Sequence, residues 1–425
     1  MAARRDAYMD MILKHGPRCG EVRAPVSKSC LHRLMICAAL SRGGASIVCG
    51  ELPRDAAATL RCLAALGAGY AYDGTRLRID PVVGDAPGPA ALPCGESAST
   101  LRFLLPLVGA LGAEAEFRME GRLPERPLEP FLSELAAHGI SFERGAASLR
   151  CRGVLRAGEW SLPGNVSSQF ISALLVSLPL LDGDSTLRVY GRTESSGYVE
   201  MTERALRLAS VRFEGGEGLY RIPGGQRFAL PAEVAAEGDW SGAAAFLAMG
   251  ALSPDGVRVG GLEPGSVQPD RAVVSILRRF GAEARSNGGC VRTRRGELRG
   301  CVIDASQTPD LVPVLAALAA LADGETRIIN ASRLRLKESD RLESSAAMLR
   351  ALGADVSLAE DGLLIRGAPS LRGGVTDACS DHRVAMAAAV AACGCADDVV
   401  LRGAECVEKS FPRFWDELDS LGGCK

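Results

Sequence analysis

LRALGADVSLAEDGLLI, residues 349–365, reads as the end of an apolar helix, a glycine, a strand, a turn and a second strand. Gly353 stands where a helix often stops in a left-handed residue. The same arrangement recurs in LAALGAGYAYDGTRLRI (63–79), LAAHGISFERGAASLRC (135–151) and LRRFGAEARSNGGCVRT (277–293), with Gly67, Gly139 and Gly281 at the helix ends. Ala209 fills the gap in LRLASVRFEGGEGLYRI (206–222), and Gly422 in LDSLGG (418–423) closes the series. The intervals are 72, 70, 72, 72 and 69 residues, which makes six units. Each alternates helices and strands and is too small to bury both faces of its own sheet.

Three such units packed helix on helix make a domain, and six make two. The break falls near GDWSGAAAFLAMG (238–250), and the chain crosses over near Arg23-Ala24-Pro25. The expected domains are therefore 26–237, and 1–25 together with 238–425. A single large α/β domain is the alternative, which the even spacing disfavours. A cleft between matched domains is a natural place for a ligand.

Composition narrows the function. The 425 residues are 47% hydrophobic and 24% charged, with a net charge of −2, so nothing suggests a nucleic-acid or membrane partner. The N-terminus MAARRDAYMDMILKHG lacks the apolar stretch of a signal peptide, and the longest apolar run, 311–322, is too short to span a bilayer. A cytoplasmic protein is expected. The fourteen cysteines form no C-x-x-C pair and only four histidines could join them, so most read as small hydrophobes. Of 49 basic residues only Lys14, Lys28, Lys337, Lys409 and Lys425 are lysine. The three internal ones are singled out, because lysine is a compact donor of tunable basicity where arginine is not.

Polar clusters mark the starts of apolar segments. VSKSCLHRLMICAALS (26–41) puts Lys28 and Ser29 before a helical run and Arg33 one turn in, a good anion site or simply a capped helix. CGESASTLRFLLPLVGAL (94–111) and GNVSSQFISALLVSLP (164–179) repeat the shape with Arg102 and with Ser167, Ser168 and Gln169. In the second half Asp310 begins an apolar helix and could be only a cap. RLRLKESDRLESSAAML (333–349) gathers Arg333, Arg335, Lys337, Glu338, Asp340 and Arg341, which could be no more than a salt-bridged helix face. Asp381, His382 and Arg383 precede an Ala-rich helix, and Lys409 stands in VEKSFPRFWDEL.

In order, SKSCLHR, CGESASTLR, ERP, VSSQF, SSGY, LRLKESDR, SDHR and EKSFP, from residue 27 to 412, resemble the enolpyruvyl transferase family, in the branch that acts on shikimate 3-phosphate. The resemblance implies an α/β fold of two similar domains, each of three βαβαββ units, an inside-out α/β barrel. It implies that Lys28, Ser29, Arg33, Ser167, Ser168, Gln169, Ser195, Asp310 and Lys337 hold shikimate 3-phosphate, with Tyr198 against its ring. Arg33 suits the carboxylate through a two-pronged contact. Phosphoenolpyruvate falls to Lys28, Arg126, Gln169, Arg341, Arg383, Lys409 and the backbone near Ala98. Arg102 supports the loop, and Arg333 matches a position where some relatives carry an asparagine. Addition of the 5-hydroxyl to C2, then elimination of phosphate, needs a base and an acid, read as Asp310 and Glu338 with Lys28 sharing either role. No metal, nucleotide or other cofactor is required, and the enzyme is expected to be a monomer.

Two rivals stand beside this reading. The UDP-N-acetylglucosamine transferases of the same superfamily use a loop cysteine, whereas this chain has none between Cys94 and Cys151. A non-catalytic phosphate-ester binder would be favoured by loss of Lys28, Asp310 or Glu338, and all three are present. The resemblance also implies tolerance of glyphosate. Sensitive relatives carry glycine at the position of Ala98, and many carry proline at that of Phe103.

Overall fold

Six sheets carry the repeat among the described residues, which in this computed structural model are 9–82, 89–216 and 218–423. Residues 1–8, read above for a leader, Glu217 of the third hairpin and Lys425 lie outside them. The second repeat shows the plan. Ala90–Gly95 pairs in parallel with Ala115–Met119, which pairs antiparallel with Ser148–Gly153, and Ile140–Arg144 forms the edge. A helix, Ala98–Ala110, joins the parallel strands, and a second, Phe131–Ala137, leads into the hairpin. That is a βαβαββ unit.

Two units borrow their opening strand from far along the chain. Glu233–Ala235 pairs in parallel with Ala45–Val48, and Arg18–Arg23 pairs in parallel with Val257–Gly260. The sixth sheet is completed by Met11–Leu13 against Val399–Arg402. The chain therefore divides into two compact units, one of residues 26–237 and one of the segment ending at Pro25 together with the chain from Gly238 on. Each has its own apolar core.

The first helix of each repeat forms that core. Trp240–Leu252 and Val312–Ala319 are buried at every residue, as a helix that is apolar all round must be. Each leucine so buried contributes roughly 1.5–3 kcal/mol. The second helices are amphipathic instead: Val273–Phe280 buries Val273, Val274, Ile276, Leu277 and Phe280 and leaves Arg278 and Arg279 outside.

Gly67, Gly139, Gly281 and Gly353 take φ of +101°, +105°, +97° and +95°, the left-handed stop expected of them. Two members of the series differ. Ala209 has φ −84°, and the left-handed residue is Ser210 at +61°. Counted from that residue the intervals are 72, 71, 71 and 72, more even than the sequence motif suggests. Gly422 is not left-handed, because the chain leaves the helix Phe414–Ser420 extended and pairs Gly422 with Cys19.

Candidate active site

The repeat gives every candidate residue one of two addresses, both at the carboxyl end of a parallel strand, where α/β sheets present ligand groups. The first is the start of the central helix. Lys28, Ala98 and Ser168 open the helices Lys28–Leu40, Ala98–Ala110 and Ser168–Ser177, capped by Ser27, Ser97 and Ser167. Asp310 lies in the 3-10 turn Pro309–Leu311 that runs into Val312–Ala319, and Arg383 is in the first turn of His382–Ala392, capped by Asp381. The second address is the stretch from the end of the next strand to the start of the helix that follows, which holds Arg126, Ser195, Lys337, Glu338, Arg341 and Lys409.

In unit 26–237 the cations are held by neighbours. Lys28 Nζ donates to Asp55 Oδ2 at 2.8 Å, with both side chains mostly buried. Arg33 is buried and gives four hydrogen bonds: Nε to Thr202 Oγ1 at 2.7 Å, Nη1 to the Ser29 carbonyl at 2.6 Å, and Nη2 to the Tyr198 carbonyl at 2.7 Å and to Ser172 Oγ at 3.5 Å. Burial lowers its pKa to about 10. This guanidinium thus locks three helices together and keeps one Nη1 proton, so a two-pronged grip on a carboxylate would require a present partner to yield. Arg102 donates to Gln169 Oε1 at 2.7 Å and to the Pro127 carbonyl at 3.1 Å, and Gln169 Nε2 donates to Ser99 Oγ at 2.9 Å. Arg102 is thus tied to Gln169 and the Pro127 carbonyl, and reaches the loop before its helix by way of Gln169. Ser195, at φ +55°, is the strained residue before Ser196–Leu208. Behind Lys28 a buried chain runs from His32 Nδ1 through Thr59 and Thr100 to Ser97, with links of 2.7, 2.7 and 2.8 Å. Burial drops the His32 pKa to about 3, so the ring is neutral.

In the other unit the acids converge on one arginine. Arg341 contacts Asp310, Glu338 and Asp381 at 2.7, 2.9 and 2.8 Å. Lys337 Nζ lies 3.4 Å from Asp310 Oδ1. Burial pushes the Asp310 carboxyl up, but Lys337, Arg341 and Arg383 outweigh it and hold it well below the carboxylate range. Arg383 is 3% exposed, and its Nε and Nη1 have no hydrogen-bond partner among the described residues. Arg333 Nη2 donates to the Ser306 carbonyl at 3.0 Å, which gives it a structural contact. Asp340 is a helix cap, accepting from the Leu342 and Glu343 amides.

The chain matches the model of the EPSP synthase family (3-phosphoshikimate 1-carboxyvinyltransferase) over residues 14–418. The chain belongs to the EPSP synthase family. Relatives named 3-phosphoshikimate 1-carboxyvinyltransferase include one from Clostridium kluyveri, 41% identical with 95% of each chain covered, and one from Clostridium acetobutylicum, 39% identical with 97% of each covered. Among solved structures, EPSP synthase of Acinetobacter baumannii matches with a TM-score of 0.81 and 23% identity, over 98% of this chain and 99% of that one. The enolpyruvyl transferase NikO of Streptomyces tendae matches at 0.79 and 20%, over 98% of both. These two likenesses establish the family's two-domain α/β fold.

Two acids, Asp55 and Asp270, escaped the motif reading, and a third, Asp381, was read only as standing before a helix. Asp55 pairs Lys28, Asp381 anchors Arg341, and Asp270, buried, accepts a hydrogen bond from Ser241 Oγ. The period could have found two of them: Asp55 is 71 residues before Arg126, and Asp270 is 71 before Arg341. Both sit at the second address, in the first and fourth repeats. Among the described residues no helix is long and apolar enough to cross a membrane.

Proposed function

We propose that this chain transfers the enolpyruvyl group of phosphoenolpyruvate to the 5-hydroxyl of shikimate 3-phosphate, releasing phosphate. The observation that carries the reading is Arg383, a buried guanidinium at the head of a helix, with two nitrogens that have no partner among the described residues, whose charge, like that of Arg341, favours the ionised form of Asp310. Such a group is costly to keep unless an anion satisfies it. Phosphoenolpyruvate is that anion, shared with Lys28, Arg126, Gln169, Arg341, Lys409 and the amide end at Ala98.

Shikimate 3-phosphate goes to the serine-rich helix starts: Ser29, Ser167, Ser168 and Gln169, with Ser195, Arg33, Lys28, Lys337 and Asp310. Hydroxyls and helix amides suit its phosphate. Asp310, held ionised, takes the proton of the 5-hydroxyl as its oxygen bonds to C2, and Glu338 gives a proton to C3. The adduct then expels phosphate as C3 returns its proton to Glu338. Lys28 neutralises charge as it moves between the substrates. The steps balance without a cofactor, and the enzyme acts as a monomer in the cytoplasm.

The test is phosphate release. Release that requires both phosphoenolpyruvate and shikimate 3-phosphate supports the assignment. Release with UDP-N-acetylglucosamine in place of shikimate 3-phosphate, or none with either acceptor, sinks it.

A further inference from the structure

Lys28 and His32 lie one turn apart on the helix Lys28–Leu40, and Asp55 and Thr59 lie one turn apart on Arg54–Ala65. Two rungs therefore join the same pair of helices: Lys28 Nζ to Asp55 Oδ2 at 2.8 Å, and His32 Nδ1 to Thr59 Oγ1 at 2.7 Å. The second rung continues into a third helix. Thr59 Oγ1 lies 2.7 Å from Thr100 Oγ1, which lies 2.8 Å from Ser97 Oγ and 3.4 Å from the Asp55 carbonyl. Ser97 in turn caps the helix that Ala98 opens.

His32 is 1% exposed, and Thr59, Thr100 and Ser97 are fully buried. His32 Nε2 has no hydrogen-bond partner among the described residues. Burial drops the ring's pKa to about 3, with Asp55 opposing and Lys28 and Arg33 assisting, so one ring nitrogen carries a proton and the other does not. An imidazole with an unmatched nitrogen costs free energy in a core, and a leucine of like size would avoid that cost. Packing therefore does not account for His32.

We propose that His32 is a positioning residue for the substrate site: as the Nδ1–H tautomer it donates to Thr59, and so registers Asp55, and the Lys28 ammonium with it, against the helix head at Ala98. The inference rests on the reading that Lys28 and the amide end at Ala98 hold phosphoenolpyruvate. The unmatched nitrogen names the tautomer, because a buried N–H without an acceptor is rarer than a bare acceptor. Thr59 accepts from the ring, and its one hydroxyl proton is left for Thr100. A threonine inside a helix commonly turns its hydroxyl to the carbonyl four residues back, which here belongs to Asp55. Donation from the ring holds Thr59 away from that carbonyl and towards the third helix.

The experiment combines nitrogen NMR of the histidine rings in the whole chain with turnover and urea unfolding of His32→Leu, His32→Asn and His32→Gln. The chain has four histidines, so the signal lost in the variants is that of His32. A protonated Nδ1 with a bare Nε2 is expected, and the reverse pattern overturns the proposal. The amide nitrogen of asparagine stands as many bonds from the backbone as Nδ1, and that of glutamine as many as Nε2. His32→Asn should therefore keep turnover within about threefold of wild type. His32→Leu and His32→Gln should lower it on the order of tenfold, inside the roughly 10²-fold that a misplacement of about 1 Å costs. His32→Leu should nevertheless unfold at the same urea concentration as wild type or a higher one. A histidine that serves stability alone gives the opposite split, an earlier midpoint with turnover per folded molecule unchanged, and that result overturns the proposal. If the leucine variant does not fold, as judged by circular dichroism, equal turnover of the Asn and Gln variants overturns it. A wild type that releases no phosphate with either acceptor overturns the functional reading and this inference together. An active wild type matched by His32→Leu overturns the inference alone.

Discussion

Lys28 and Asp55 form an ion pair at 2.8 Å, with 13% and 7% of their side chains exposed, between the heads of two helices. The lysine is one of three internal lysines in an arginine-rich chain, and the aspartate sits one repeat period before Arg126. Asp55→Ala strands a mostly buried ammonium, so the protein should lose about 3 kcal/mol or more of stability. Urea unfolding measures it. A loss below about 0.5 kcal/mol would mean the pair is dispensable.

Lys28→Arg keeps the charge but replaces a compact donor with a planar fork. Removing one well-placed electrostatic or proton-transfer group costs roughly 10²–10⁴ in rate. Steady-state turnover within about threefold of wild type would refute a special role for this lysine.

Arg341 and Arg383 should separate stability from binding. Arg341→Ala leaves Asp310, Glu338 and Asp381 without their shared cation and should destabilise by about 3–5 kcal/mol. Arg383→Ala removes a guanidinium whose Nε and Nη1 have no partner among the described residues, so its stability cost should be clearly smaller. Both should lose phosphoenolpyruvate binding. Equal unfolding midpoints in urea would contradict the contrast.

Asp270 gives a pH signature of unusual sign. Burial lifts its pKa to about 7, with Asp310 and Asp239 pushing the same way and Ser241 and Arg383 opposing. A carboxyl with a raised folded pKa stabilises fully below its unfolded value and loses that stability as pH rises through the folded one. Thermal unfolding of Asp270→Asn should therefore exceed that of wild type at pH 8, with the gap closing towards pH 4. Asp310 is depressed instead, so its contribution is present at neutral pH and lost on acidification. Asp310→Asn should fall below wild type at pH 8 and converge with it in acid. A pH-independent gap for Asp270→Asn would sink the assignment of its proton.

Ala98 opens a central helix and is 5% exposed, with Ser97 capping it. A methyl in that turn leaves less room for an inhibitor longer than phosphoenolpyruvate, so the wild type should tolerate glyphosate. Ala98→Gly should sharpen inhibition by roughly 10–200-fold, the range for one close methyl contact, and change phosphoenolpyruvate use much less. Phe103 packs against the Arg33 guanidinium at 5.1 Å and fixes the same helix. Inhibition of the wild type at glyphosate concentrations well below those of competing phosphoenolpyruvate would end this idea.

The repeat was legible because a glycine stop is a local demand: four of them take the left-handed backbone they announce. Ser210 hid the fifth, since serine adopts that conformation without advertising it. The clusters around Lys28, Asp310 and Arg383 were legible because caps and charges gather at helix starts. What they bind within the protein was not. Thr202 and Ser172, which hold Arg33, lie 169 and 139 residues away, and their hydroxyls look like ordinary core polar groups in the sequence. Arg341 was read as a ligand clamp; its pairing with Glu338 three residues away was open to the sequence, while Asp310 and Asp381 join it only once a distant turn and a helix cap meet.

The borrowed strands also impose an order in time. All three sheets of unit 26–237 can form as soon as residue 235 has been made, because the strand 233–235 that completes the first is the last piece needed. The other unit must wait. Arg18–Arg23 emerges early from the ribosome, yet its partner Val257–Gly260 and the partner of Met11–Leu13 at Val399–Arg402 come more than two hundred residues later. Until then those segments hold unpaired edges, and their closure carries a large loop entropy. During synthesis the inserted unit should become protease-resistant first, with the opening segment still cleavable. A chain stalled shortly after residue 260 would hold a finished inner unit and an outer one with a single sheet begun.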